Sequence, residues 1–149
     1  MKISPIIHVA TKSDKKKILA FYKKQRYSAR FLGFDQSYFI TKSDDIIACV
    51  IVSKINANNS QLFLHALVTD KQHTHQKLAS RLLQHCADNY HSLICFADQS
   101  LTPLYANNNF TLVSSNDLCE ELKHRFTIYQ AKNKYLLPFA FRLNKDPLK

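Results

Sequence analysis

Glycine occurs once in this 149-residue chain, at Gly33, which removes the usual source of tight turns. Turns must then rest on Asn, Asp and Ser, and these gather at Ser43-Asp44-Asp45, Asn56-Ala57-Asn58-Asn59-Ser60 and Asn107-Asn108-Asn109. No apolar run is long enough to span a membrane, and the N-terminus lacks the long apolar core of a secretory signal. The expectation is a cytoplasmic protein with no membrane partner. The cysteines Cys49, Cys86, Cys95 and Cys119 include no C-x-x-C pair and sit inside apolar patterns, so they read as reduced, buried small hydrophobes. His73 and His75 form an H-x-H pair with His85 beyond, but no Cys or carboxylate is spaced to complete four ligands, so no metal is expected.

An apolar fraction of 46% with ten Phe and seven Tyr points to a folded chain, and the length suits one domain over residues 1–149. Net charge is +10, from 21 Lys and Arg against 11 Asp and Glu. Much of the surplus lies on Lys12, Lys15, Lys16, Lys17, Lys23, Lys24, Arg26 and Arg30, beside the apolar Ile18, Leu19, Phe21 and Tyr22. Such a segment is either a solvated helix face or an electropositive wall for cofactor phosphates, an acidic protein or nucleic acid. Base stacking needs exposed aromatics, and most aromatics here lie in strand-like runs, so nucleic acid is not favoured.

Period and turn signals give the order of elements. Ile6 to Ala10 reads as a strand, and Ser13 as the cap of a helix running to about Arg26. Gln36 to Lys42 and Ile46 to Ile55 read as a hairpin about Ser43-Asp44-Asp45, with Asn56 to Ser60 turning into a fourth strand. Leu62 to Val68 reads as an apolar strand interrupted by His65; after a polar loop, Leu78, Leu82, Leu83, Cys86 and Tyr90 fall at helical spacing. Ser92 to Ala97 reads as a buried strand, Ser100 as the cap of a short helix with Pro103 in its first turn, and Phe110 to Val113 as a sixth strand. Asp117 with Glu120 matches a capping box before a helix whose Leu118, Leu122, Phe126 and Tyr129 share a face. Tyr135 to Arg142 closes the series.

The junction of the His65 strand with the following helix is where an anion would be held, by backbone N–H groups and the positive end of the helix dipole. Further on, Tyr105-Ala106-Asn107-Asn108-Asn109-Phe110 resembles the Y-x-x-x-G-F signature of GNAT superfamily N-acetyltransferases, with Asn109 in the place of glycine. Asn tolerates the left-handed conformation well. Upstream, Thr74-His75-Gln76-Lys77-Leu78-Ala79 falls where that family has its acetyl-CoA pyrophosphate loop, R/Q-x-x-G-x-G/A; His75 and Lys77 are not expected to need a strained backbone there.

The resemblance implies an α/β fold of the α+β type, a mixed, twisted seven-stranded sheet with helices on both faces. In that family two central strands splay to admit the pantetheine arm. It further implies acetyl transfer from acetyl-CoA to an amine by direct attack, with monomer and homodimer equally open. Tyr105 would protonate the leaving thiolate, fitting a phenol of reference pKa near 10 beside a thiol of about 8.5. His65 is the candidate base, and a backbone N–H near Leu67 or Val68 the oxyanion donor. Cofactor contacts would fall on Leu67, Val68, Thr69, Thr74, His75, Gln76, Lys77, Leu78, Ala79, Asp98, Leu101 and Leu104. Lys77 would either add a charge to the phosphates or fill their groove. The alternative is a module of the same fold without catalysis, binding an acidic protein or nucleic acid through its basic first helix.

Overall fold

A computed structural model describes residues 6–55 and 61–142. The described residues form β1 (Ile7–Val9), α1 (Lys15–Lys24), β2 (Phe34–Lys42), β3 (Asp45–Lys54), β4 (Leu62–Thr69), α2 (Leu78–Asn89), β5 (Ser92–Asp98), α3 (Thr102–Ala106), β6 (Thr111–Leu112), α4 (Glu120–Lys132) and β7 (Leu136–Arg142). This is the expected order, a mixed seven-stranded sheet with four helices, and the strands run β1-β2-β3-β4-β5-β7-β6 across it. The anticipated turn at Asn56 to Ser60 lies outside the described residues. These residues fall into two compact units. The first takes those up to Ser53 with Leu64–Leu83, and the second takes the rest.

In the first unit, β1 pairs antiparallel with β2, His8 opposite Phe39. The β2–β3 connection is a two-residue turn, Ser43-Asp44, with φ of 52° and 69°. Positive φ at both central residues matches the right-handed twist of the flanking strands. Amphipathic α1 turns Ile18, Phe21 and Tyr22 onto Phe39, Ile46, Cys49, Ile51 and Ala66 to make the unit's core. Its outer lysines are partly engaged: Lys15 Nζ lies 5.1 Å from the Phe31 ring centre and Lys17 Nζ 5.1 Å from that of Phe39.

The end of α1 follows from hydrogen bonding. Tyr27 N–H donates to Tyr22 C=O at 2.9 Å and Arg26 N–H to Lys23 C=O at 3.0 Å. Arg26 has φ 58°. These two bonds around a left-handed residue are a Schellman motif, closed by the rings of Tyr22 and Tyr27 with centroids 5.7 Å apart.

In the second unit, β5 pairs antiparallel with β7 from Ser92 opposite Arg142 to Asp98 opposite Leu136, and β6 with β7. Phe96 packs on Phe63 and Phe126 with ring centroids 4.9 and 5.0 Å away. On α4, Leu122 and Phe126 are buried along with the preceding Leu118, whereas Tyr129, expected on the same face, is 37% exposed.

Three anticipated caps are displaced toward the N-terminus. A short 3-10 turn precedes α1, α3 and α4, and the capping residue sits at the start of that turn. Thr11, not Ser13, opens the first: its N–H donates to Asp14 Oδ2 at 2.9 Å. Asp98, not Ser100, opens the second, accepting the Ser100 N–H at 2.9 Å. The third is a Ser114–Asp117 box, with Ser114 N–H to Asp117 Oδ2 at 3.1 Å, not an Asp117–Glu120 box. The start of α4 is met by a remote residue. Gln61 accepts the Cys119 N–H at 2.7 Å and donates to Asp117 C=O at 2.9 Å. The sixth strand is also shorter than expected, Thr111–Leu112, because Phe110 is spent closing the preceding helix.

Candidate active site

On β4, one residue leaves the extended conformation. Ala66 is buried and left-handed, with φ 56°, the conformation found where a bulge interrupts a ladder. Its carbonyl accepts a 2.7 Å hydrogen bond from the Tyr22 hydroxyl, so the residue that closes α1 also holds the bend. Burial pushes the Tyr22 phenol well above its ordinary value, and pushes the neighbouring Cys49 thiol up to about 11 despite its hydrogen bond with Tyr22. Both stay neutral through the physiological range. Leu67, Val68 and Thr69 follow the bend, each half-buried.

Just before it stands His65, half-buried, its Nε2 2.7 Å from Ser53 Oγ on β3. Ser53 donates in turn to Asp35 Oδ1 on β2. Neither Asp35 nor Ser53 was legible as a partner of His65: three strands carry the three residues, and only strand register joins them. Asp35 also lines a recess of about 630 Å³ with Lys12, Lys15, Phe31 and Gln36.

The loop after β4 starts with Asp70, whose Oδ1 accepts the Gln72 N–H at 2.8 Å while its Oδ2 accepts from Gln25 Nε2 at 3.2 Å. A 3-10 helix, Lys71–Gln76, ends on Lys77 with φ 55° and ψ 31°. The backbone at Lys77 is therefore left-handed, contrary to the expectation that neither His75 nor Lys77 needs a strained angle. The reason is geometric, since one 3-10 helix must stop and α2 must start on a new axis with only Lys77 between them. Thr74 and Lys77 are exposed, Ala79 is half-buried, and Leu78 is only 1% exposed, so Leu78 offers a ligand its backbone alone. The side chains of His75 and Gln76 lie outside the described residues.

The second unit explains the spacing of the tyrosine signature. Phe110 N–H donates to Tyr105 C=O at 3.0 Å, Asn109 N–H to Ala106 C=O at 3.2 Å, and Asn109 has φ 69°. This is a second Schellman motif, with Tyr105 and Phe110 at the two positions whose side chains meet. Their rings are edge-to-face at 5.5 Å, and Phe139 stacks on Tyr105 at 5.2 Å. Asn109 fills the glycine position by adopting the conformation glycine would have there. Tyr105 is 4% exposed, and its hydroxyl is a hydrogen-bond partner of the Cys95 thiol, which burial pushes far above its ordinary pKa.

Asp98 has both oxygens committed, one to Ser100 N–H and the other to Asn133 Nδ2 at 3.0 Å. Those donors hold its carboxyl below the usual carboxylate range, the Ser100 N–H foremost. Leu104 is half-buried and Leu101 is 43% exposed. His65 with the phosphate-loop candidates thus belongs to the first unit, and Tyr105 with Asp98, Leu101 and Leu104 to the second. Among the described residues no three His, Cys, Asp or Glu side chains gather as a metal site, and no helix is long and apolar enough to cross a membrane.

A search of curated proteins finds no match to the chain. Among solved structures, N-acetylglutamate synthase from Neisseria gonorrhoeae, complexed with coenzyme A and N-acetyl-glutamate, superposes with a TM-score of 0.70 at 16% identity, over 97% of this chain. The chain spans only 36% of that protein's length. A GNAT-family acetyltransferase from Staphylococcus aureus Mu50 gives 0.67 at 15% identity, over 95% of this chain and 100% of that one. The ribosomal-protein-S18-alanine N-acetyltransferase from Escherichia coli gives 0.64 at 14%, over 98% and 100%. At such identities the likeness is one of fold. A family model for the acetyltransferase (GNAT) domain matches residues 8–131, and the chain belongs to the GNAT acetyltransferase family.

Proposed function

We propose that this chain transfers an acetyl group from acetyl-CoA to an amine by direct attack. The observation that carries the reading is Lys77, which adopts the glycine-like backbone of the pyrophosphate loop while its side chain stays exposed. A side chain that filled the groove would be covered; an exposed ammonium beside the α2 N-terminus adds a point charge for the phosphates. The coenzyme A held by the gonococcal synthase supports the same ligand class here.

Bound acetyl-CoA supplies an activated acetyl thioester. By the family resemblance, its contacts would come from Leu67, Val68, Thr69 and Thr74 to Ala79, and from Asp98, Leu101 and Leu104. A backbone N–H of Leu67 or Val68, set by the Ala66 bend, meets the charge that grows on the carbonyl oxygen. His65 takes the proton from the amine, and the Tyr105 hydroxyl gives one to the sulfur that leaves. Phe110 and Phe139 fix the phenol ring, limiting the freedom that Tyr105 must lose. Lys12, just before α1, and the lysines along α1 disfavour a polycationic acceptor and favour one with a carboxylate or phosphate.

Isothermal titration with acetyl-CoA, dephospho-CoA and a Lys77→Ala variant tests the reading. Micromolar or tighter binding to the wild type, weakened in the variant, is expected. No binding to the wild type but binding to Lys77→Ala would mean that the lysine plugs the groove. Tyr105→Phe is expected to bind acetyl-CoA normally and to lose turnover; a fully active Phe variant removes Tyr105 as the acid.

A further inference from the structure

Asp35, Ser53 and His65 form one hydrogen-bonded line within the first unit, and its proton inventory can be worked out atom by atom. The carboxylate only accepts. Ser53 Oγ has a single hydrogen and gives it to Asp35 Oδ1. Ser53 must then accept from His65 Nε2, which places the neutral ring's hydrogen on Nε2 and makes Nδ1 the basic nitrogen. The serine is fully buried, so bulk water does not compete for its hydroxyl. Asp35 is itself held from behind. Leu32 N–H reaches its Oδ1 at 3.0 Å and Oδ2 at 2.9 Å, and Gly33 N–H reaches Oδ2 at 3.0 Å.

We propose that Asp35 and Ser53 are positioning residues for His65, fixing the Nε2–H tautomer so that Nδ1 receives the acceptor's proton. This rests on the acetyl-transfer reading above. One proton moves, from the ammonium nitrogen of the acceptor to Nδ1. The N–H electron pair stays on that nitrogen and becomes the nucleophile. The Nε2 hydrogen stays in place, and its bond to Ser53 strengthens as the ring gains charge. Asp35, one hydroxyl away, offsets that charge without touching the ring.

Asp35→Asn discriminates. Two backbone N–H groups converge on the Oδ2 position, so the amide oxygen settles there and the NH2 faces Ser53. The serine must then turn its hydrogen toward His65, and the ring must carry its own on Nδ1. Two-bond proton–nitrogen correlations of nitrogen-15-labelled protein, assigned with His65→Gln, read the tautomer directly. Nε2–H is expected in the wild type, Nδ1–H in Asp35→Asn, and a lower Nε2–H population than wild type in Ser53→Ala, which removes the acceptor for that hydrogen. A wild-type Nδ1–H form, or the same tautomer in wild type and Asp35→Asn, overturns the proposal whether or not turnover is known.

With an accepted amine, kcat is expected to fall about 10- to 100-fold in Asp35→Asn while KM for acetyl-CoA stays within about twofold. An unchanged kcat in a variant whose tautomer has switched overturns the positioning role. Failure of the wild type to acetylate any amine, with the tautomer switching as expected, overturns acetyl transfer and the role within it while leaving the relay intact, so the two failures are distinct.

Discussion

Among the described residues, six that are not glycine have positive φ, and each does a job glycine often does: Arg26, Ser43, Asp44, Ala66, Lys77 and Asn109. A left-handed L-residue costs about 1–2 kcal/mol, part of which glycine returns through its greater unfolded-state freedom. Lys77→Gly and Arg26→Gly are therefore each expected to stabilise by about 0.5–1 kcal/mol, read as a rise in Tm of roughly 2 °C. The β-branched Lys77→Val is expected to lower Tm instead. Tyr22→Phe leaves the Ala66 carbonyl without its buried donor and should cost about 1–3 kcal/mol, measured by urea denaturation. At this scale Tyr105, Asn109 and Phe110 were legible because their job is local, a fixed spacing along one helix end. Asp35, Ser53 and Tyr22 were not, because each acts on a residue that only the folded sheet brings near.

Among the elements, the strands and helices followed their periodicity closely, whereas the caps were misplaced by one rule. Serines and acidic residues near a helix start were read as caps of the α-helix, but a 3-10 turn interposes and takes the cap upstream. Asp98 shows what depends on that position. Asp98→Ala removes the acceptor for Ser100 N–H and for Asn133, so it should lower Tm. Because the folded-state pKa is depressed, the contribution of Asp98 is present above the ordinary carboxylate value and disappears as pH falls through the folded one. The difference in Tm between wild type and Asp98→Ala is thus expected to be larger at pH 7 than near pH 3. The β2–β3 turn offers the opposite sign. Ser43→Asn with Asp44→Gly supplies the residues that best tolerate its two positive φ values, and should raise Tm by roughly 2–4 °C.

For the whole molecule, the order of elements was written in the chain, and the seven-stranded sheet with four helices follows it. The cysteines, expected to be buried, set an alkaline limit. Cys49, Cys86 and Cys95 are buried, while Cys119 is partly exposed. Burial pushes Cys49 up to about 11 and Cys86 up to about 12 from an ordinary 9.0. A raised folded-state pKa stabilises below the unfolded value, and the benefit is lost as pH rises toward the folded one, because the unfolded chain ionises first. Between pH 9 and 11 each of these two thiols should therefore remove up to about 1.4 kcal/mol per pH unit. Urea midpoints at pH 8 and pH 10 measure this, and a midpoint unchanged between them would contradict the burial of both thiols.

The two aromatic-closed helix ends change what counts as a match to the tyrosine signature. Tyr22 to Tyr27 and Tyr105 to Phe110 spell the same six-position word, with Arg26 in one and Asn109 in the other at its fifth letter. What the fifth position demands is permission to turn left, and glycine is only its commonest spelling. A pattern written in letters discards this chain at that position, whereas one written in dihedral angles keeps it. Distant members of the family would then be recognised by the shape of a helix ending, even where the alphabet of that ending has drifted.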